Sequence, residues 1–189
     1  MMTWPLTARM APLIEDGLNT DVIYPARFLL VLERKNLGQY AFADLRKQRA
    51  DFVLDVPEYS GAGILLTGRE FGSGSSREHA VWTLQDAGIQ ALIGLGFGDI
   101  FYRNCIENGI LPAVIGADDL VTLEAHARAA QAVVVDLEAG EIRVGEHIIA
   151  FPIAPADKQR LLSGQSVIER IEAKAADRDT FMRDRAYAF

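Results

Sequence analysis

Cysteine is nearly missing from this chain. Among 189 residues there is one, Cys105, and a lone thiol can neither close an internal disulfide nor hold a zinc or iron–sulfur centre. The chain is therefore read as binding no metal or cofactor itself, and as cytoplasmic. Basic charge is also scarce: 19 Lys and Arg against 26 Asp and Glu leave a formal net charge of −7, which argues against a nucleic-acid partner gripped through its phosphates. No apolar run reaches the roughly 20 residues a membrane helix needs, so no membrane span is predicted. Met1-Met2-Thr3-Trp4-Pro5 lacks a basic stretch leading into an apolar one, so no signal peptide is predicted either. The Gly-x-Ser-x-Gly of a nucleophile elbow and the Gly-Lys-Ser/Thr of a P-loop are absent, and Gly94-Leu95-Gly96-Phe97-Gly98 lacks the third glycine of a dinucleotide fingerprint.

What is present is the composition of a globular domain: half the residues are hydrophobic and 24% are charged. A chain of this size buries roughly 70% of its unfolded surface without staples. From Met10 to Leu32 the pattern is mixed, and 36–60 reads as a short helix and a loop around Pro57. From Ile64 it sharpens. Ile64-Leu65-Leu66-Thr67 reads as a buried strand, 76–87 as a helix on Ala80, Leu84 and Ala87, and Ala91-Leu92-Ile93 as a second strand. A helix from Asp99 to Asn108 stopped by Gly109, and a strand from Leu111 to Ile115, complete a strand–helix–strand–helix–strand run, the pattern of a parallel sheet with helices packed on it. Asp118 is placed to cap a further helix. Val133–Val135 and Ile142–Val144 read as a β-hairpin, His147–Ile153 as a third strand, and 157–189 as a mostly helical extension whose 172–185 stretch is charged like a poorly ordered tail.

One run, Gly68-Arg69-Glu70-Phe71-Gly72-Ser73-Gly74-Ser75-Ser76-Arg77-Glu78-His79-Ala80, is too polar for core and is framed by apolar segments. It lies between a strand and a helix, at the carboxyl end of the strand, where open α/β sheets bind ligands. Ser75 with Glu78 three residues later fits a capping box, which puts Ser75 or Ser76 at the helix N-terminus, where free N–H groups favour an anion. Gly72 and Gly74 let the backbone approach a ligand or take positive φ. Arg77 offers a planar fork suited to a carboxylate. The bland alternative is a capped helix with a flexible approach and an exposed arginine. His79 in the first turn has both a structural and a catalytic reading.

Residues 71–80 resemble the swivel-domain signature of the aconitase superfamily. Asn19-Thr20-Asp21-Val22-Ile23-Tyr24-Pro25-Ala26-Arg27-Phe28-Leu29 resembles its N-terminal block, and Gly98–Cys105 with Asn108–Pro112 its third block, in the family's order. A free-standing chain this short is similar to the small subunits of the superfamily's isopropylmalate isomerases. The resemblance implies an α/β fold: a swivel-like β/β/α architecture with a mostly parallel central sheet flanked by helices, a β-hairpin and a helical C-terminal tail, with 1–156 as the swivel domain and 157–189 as its extension. It implies half of a hydro-lyase that moves a hydroxyl between neighbouring carbons of a small dicarboxylate in leucine biosynthesis, by dehydration and rehydration. The other half is a large subunit carrying a [4Fe-4S] cluster. Ser75 takes the role of catalytic base, and Ser76 and Arg77 hold a substrate carboxylate. Leu30 and Val31, after the Pro-Ala-Arg block, suit an isopropyl group or are simply core. Asp21 either orients Arg77 or caps a turn, and Gly72 and Gly74 support the loop. Two alternatives stay open: a related hydro-lyase acting on another substituted malate, and a non-catalytic anion-binding module.

Overall fold

The computed structural model describes residues 3–30 and 36–164. Val31 and the charged 172–185 stretch lie outside the described residues. Among the described residues seven strands form one sheet: β1 (Leu6–Leu13), β2 (Ile64–Thr67), β3 (Ala91–Gly94), β4 (Leu111–Val114), β5 (Ala132–Asp136), β6 (Glu141–Val144) and β7 (His147–Ala150), arranged in the order β4-β3-β2-β1-β5-β6-β7. Three of them are the strands read from Ile64 onward: β2 (Ile64–Thr67), β3 (Ala91–Gly94) and β4 (Leu111–Val114), which pair in parallel. Each is buried along nearly its whole length, because helices cover both faces. The crossovers are α3 (Glu78–Asp86) and α4 (Asp99–Asn108); α4 ends at Gly109, whose φ of 84° is the left-handed cap that glycine takes without strain.

The mixed N-terminal stretch conceals the strand that joins the sheet together. β1 (Leu6–Leu13) pairs antiparallel with β5 (Ala132–Asp136) through Leu6–Arg9, and parallel with β2 through Met10–Leu13. Thr7, Arg9 and Pro12 break the apolar pattern that would have announced it. Pro12, which has no N–H to give, falls in the half of β1 that pairs with β2. Beyond β5 the predicted hairpin and third strand follow as β6 (Glu141–Val144) and β7 (His147–Ala150), both antiparallel. The parallel core thus continues through β1 into an antiparallel wing.

Alternate residues feed two cores. Ile64 and Leu66 join Met10, Ile93 and the wing's valines under α5 (Ala117–Arg128), while Leu65 and Leu92 join Ala11, Ile23, Leu84 and Phe101 on the other face. Two short helices, α1 (Thr20–Ile23) and α2 (Ala43–Gln48), belong to the long β1–β2 connection. Helix α5 begins at Ala117 with Gly116 at its cap, so Asp118 is not the cap; it sits in the first turn with Asp119, where negative charge suits the dipole. The last described helix, α6 (Pro155–Ser163), starts two residues before the predicted boundary at 157 and places Leu161 in the first core.

Leu65 is fully buried in the middle of the parallel core. Leu65→Ala is expected to lower unfolding stability by about 2–5 kcal/mol, seen as a lower denaturant midpoint at unchanged slope.

Candidate functional site

Three loops leave the carboxyl ends of neighbouring strands and continue the sheet's order as loops. The loop after β2 lies between the other two. Toward the loop after β1, Gly17 donates its N–H to the Arg69 carbonyl (2.8 Å), Gly72 donates to Leu18 (2.7 Å) and Thr20 donates to Ser73 (3.0 Å). Toward the loop after β3, Phe71 donates to Gly96 (3.2 Å) and Gly98 donates to Phe71 (3.0 Å). Glycine is required where these loops touch. At Gly72, with φ of 73°, a β-carbon would collide with the Phe101 ring, and at Gly98 it would lie 2.9 Å from the Gly72 carbonyl oxygen.

The Asn19-Thr20-Asp21 triplet divides its labour among the three side chains. The Asn19 carboxamide oxygen accepts the N–H groups of Asp21 and Val22, both at 3.0 Å, and caps α1. The Thr20 hydroxyl donates to the Ser75 carbonyl (3.1 Å). The Asp21 carboxylate accepts from the Arg77 guanidinium. Of the two roles left open for Asp21, orienting Arg77 is the one the geometry realises, while the turn is capped by Asn19. Arg77 is 18% exposed and Asp21 51% exposed, so the pair lies at the rim of the protein, with the arginine the more enclosed partner.

The capping box does not form. Helix α3 begins at Glu78 with Arg77 in the cap position and no side-chain cap bond. The Ser75 carbonyl is held by Thr20 and by the Arg77 N–H (2.8 Å), a tight turn just before the helix starts. Glu78 instead accepts from the Asn108 side chain (3.0 Å). Ser75 and Ser76 therefore stand exposed just ahead of the helix. His79 is packed, stacked on Tyr24 at 5.7 Å between ring centroids and against Trp82 at 4.6 Å, which gives it a structural role in the first turn.

On the third side, Tyr24 donates its hydroxyl to the Phe28 carbonyl (2.7 Å) and fixes the turn at 26–28. Arg27, read only as part of a motif, is locked onto Asp44 by two bonds of 2.8 and 2.7 Å, and the guanidinium holds the Asp44 carboxyl below its usual range. Leu30 is 89% exposed, so the core reading fails for it. The structure thus brings Asp21, Gly74, Ser75, Ser76 and Arg77 together at the surface, while Gly72 lies buried beneath the loop against Phe101. Nothing in the Asn-Thr-Asp pattern by itself assigns Thr20 a role; only the register of the two loops reveals that its hydroxyl reaches Ser75.

Cys105 lies fully buried on α4, where burial pushes its thiol well above the usual range. Among the described residues no group of three or more His, Cys, Asp or Glu is placed to hold a metal ion. No helix among them is long and apolar enough to cross a membrane.

Residues 10–117 match the model of the aconitase C-terminal domain. The chain is 42% identical over 190 residues to the 3-isopropylmalate dehydratase small subunit of Phenylobacterium zucineum, covering 97% of this chain and 94% of the relative. It is 43% identical over 169 residues to that of Herpetosiphon aurantiacus, covering 88% and 86%. Its fold matches the crystal structure of 3-isopropylmalate dehydratase (leuD) from Methanocaldococcus jannaschii with a TM-score of 0.71 at 25% identity, covering 92% of this chain and 97% of the other. The matched segment runs from β1 into α5 and contains all three loops of the site, and on that ground the chain belongs to the aconitase C-terminal domain family.

Proposed function

We infer that this chain is the small subunit of a 3-isopropylmalate dehydratase, a hydro-lyase that interconverts 2-isopropylmalate and 3-isopropylmalate in leucine biosynthesis and works with a large subunit. The near-full-length likeness to small subunits of that enzyme supports the assignment. The observation that carries the chemistry is the exposed Ser75-Ser76 pair beside the half-buried Arg77, held from beneath by Thr20 and from the side by Asp21. It is half of a site, open toward a second protein.

In this reading the reaction removes a proton from the carbon beside a carboxylate and hydroxide from the neighbouring carbon. Water then returns to the enoate the other way round. The Ser75 hydroxyl, as its alkoxide, takes the proton. A serine hydroxyl is too weak an acid to do this unaided, so its anion needs the free N–H groups before α3 and the Arg77 charge. The side chains of Ser76 and Arg77 hold a substrate carboxylate; Asp21 takes one edge of the guanidinium and leaves the rest of the planar fork to the ligand. This chain's donors do not fit an iron–sulfur cluster, since its single thiol is buried and held protonated. A [4Fe-4S] cluster, which the family resemblance implies, would be held by the large subunit and would supply Lewis acidity toward a hydroxyl group. Leu30, standing out from the turn after Phe28, together with Val31, meets the isopropyl group. The pair works in the cytoplasm, without nucleic acid or membrane.

Ser75→Ala, mixed with cluster-loaded large subunit, is expected to lose about 10²–10⁴-fold in kcat while still associating with its partner. Turnover at the wild-type rate would remove Ser75 as the base. Leu30→Arg places a charge where the apolar group is expected and is predicted to lower kcat/KM for 2-isopropylmalate by at least about tenfold. Because Leu30 is exposed, the thermal midpoint should stay unchanged. An unaltered kcat/KM would take Leu30 out of substrate selection.

A further inference from the structure

We propose that Thr20 is a positioning residue for the reaction: by holding the carbonyls of Ser73 and Ser75 it turns the backbone N–H groups of Gly74 and Ser76 outward, toward the negative charge that develops there. The inference rests on the assignment of Ser75 as base.

Thr20 is a polar residue only 1% exposed, and a buried hydroxyl needs a partner. It finds one in the carbonyl of the proposed base itself, at 3.1 Å, while the backbone N–H of the same threonine donates to the Ser73 carbonyl at 3.0 Å. A trans peptide is planar, with its C=O and N–H pointing in opposite directions. The Ser73 carbonyl shares a peptide plane with the Gly74 N–H, and the Ser75 carbonyl shares one with the Ser76 N–H. Fixing both carbonyls on buried Thr20 therefore directs both N–H groups away from it, toward the side on which Gly74, Ser75 and Ser76 are exposed.

The hydrogen bonds agree with this. Among the described residues, no acceptor is found for the N–H of Gly74, Ser75 or Ser76, whereas Ser73 and Arg77 donate theirs to Glu70 (3.1 Å) and Ser75 (2.8 Å). Gly74, at φ of 97°, supplies the positive-φ residue that lets successive N–H groups converge on one side. Preorganised donors of this kind are worth most where charge appears during the reaction rather than in the bound substrate.

Thr20→Val deletes the hydroxyl, preserves the side-chain shape and keeps the backbone N–H. The Ser75 carbonyl retains its bond from Arg77, so the fold is not at risk. In the complex with the large subunit, Thr20→Val is expected to lower kcat about 10–100-fold, with KM changing less than about threefold. Thr20→Ser should restore kcat to within about threefold of wild type, since it keeps the hydroxyl. In the small subunit by itself, Thr20→Val should speed amide hydrogen exchange at residues 72–77 while leaving β2, β3 and β4 unchanged. A Thr20→Val kcat within twofold of wild type, a Thr20→Ser as impaired as Thr20→Val, or an unchanged exchange rate at 72–77 would each overturn the proposal. A wild-type pair inactive on 2-isopropylmalate would instead overturn the assigned reaction, and the exchange comparison would still decide whether Thr20 holds the loop.

Discussion

The site depends on a clamp between two loops far apart in the chain. Thr20 and Ser75 are separated by 55 positions and Asp21 and Arg77 by 56, yet their bonds fix the shape of the whole 72–77 segment. Each such bond contributes only about 0.5–1.5 kcal/mol net, and closing a loop that long from a random chain would outweigh several of them. The sheet beneath removes that difficulty. Pairing of β1 with β2 sets Leu13 beside Thr67, so the loops that follow leave the sheet already adjacent. What the clamp adds is direction rather than proximity, deciding which way carbonyls, N–H groups and the Arg77 guanidinium face.

The same strand explains why the site sits at the end of a parallel core although the sheet continues as an antiparallel wing. β1 gives its first half to β5 and its second half to β2. Only the second half ends, together with β2 and β3, at the edge where the three loops meet. The wing has no part in the site. It closes the core from the other end through Val133, Val135, Ile142 and Ile149 and gives α5 a surface to pack on.

The parallel core was legible in the sequence because its strands are short, uniformly apolar and punctuated by glycine. Ile64–Thr67, Ala91–Gly94 and Leu111–Val114 read as strands for the physical reason that they are buried on both faces. β1 was not legible. Its first half alternates, Leu6-Thr7-Ala8-Arg9-Met10, while its second half, Ala11-Pro12-Leu13, is an apolar run interrupted by proline, so no single pattern extends over the whole strand. The glycine–serine run was legible as a loop between a strand and a helix, but its capping box was not realised, because α3 starts at Glu78 with Arg77, not Ser75, in the cap position. Ser75 offers its carbonyl inward and its side chain to solvent, and no pattern within residues 68 to 80 could have indicated that. The link from Asp21 to Arg77 was one of two readings, and the choice needed the loop register that only the fold supplies.

An exposed serine also constrains how such a site works. In water, an alkoxide at Ser75 would be protonated at once, and the charge on Arg77, paired with Asp21 and screened by a high dielectric, would do little to prevent it. The same donors become far stronger once a partner surface excludes the solvent, since electrostatic interactions over a fixed distance grow as the dielectric falls. In the proposed reaction, a loop that keeps its N–H groups aimed outward, yet is inactive while wet, would let Ser75 become competent as a base only when the large subunit closes over it. The direction built into the small chain and the desolvation a large subunit would supply are thus, in this proposal, separate requirements, neither of which alone would generate the base.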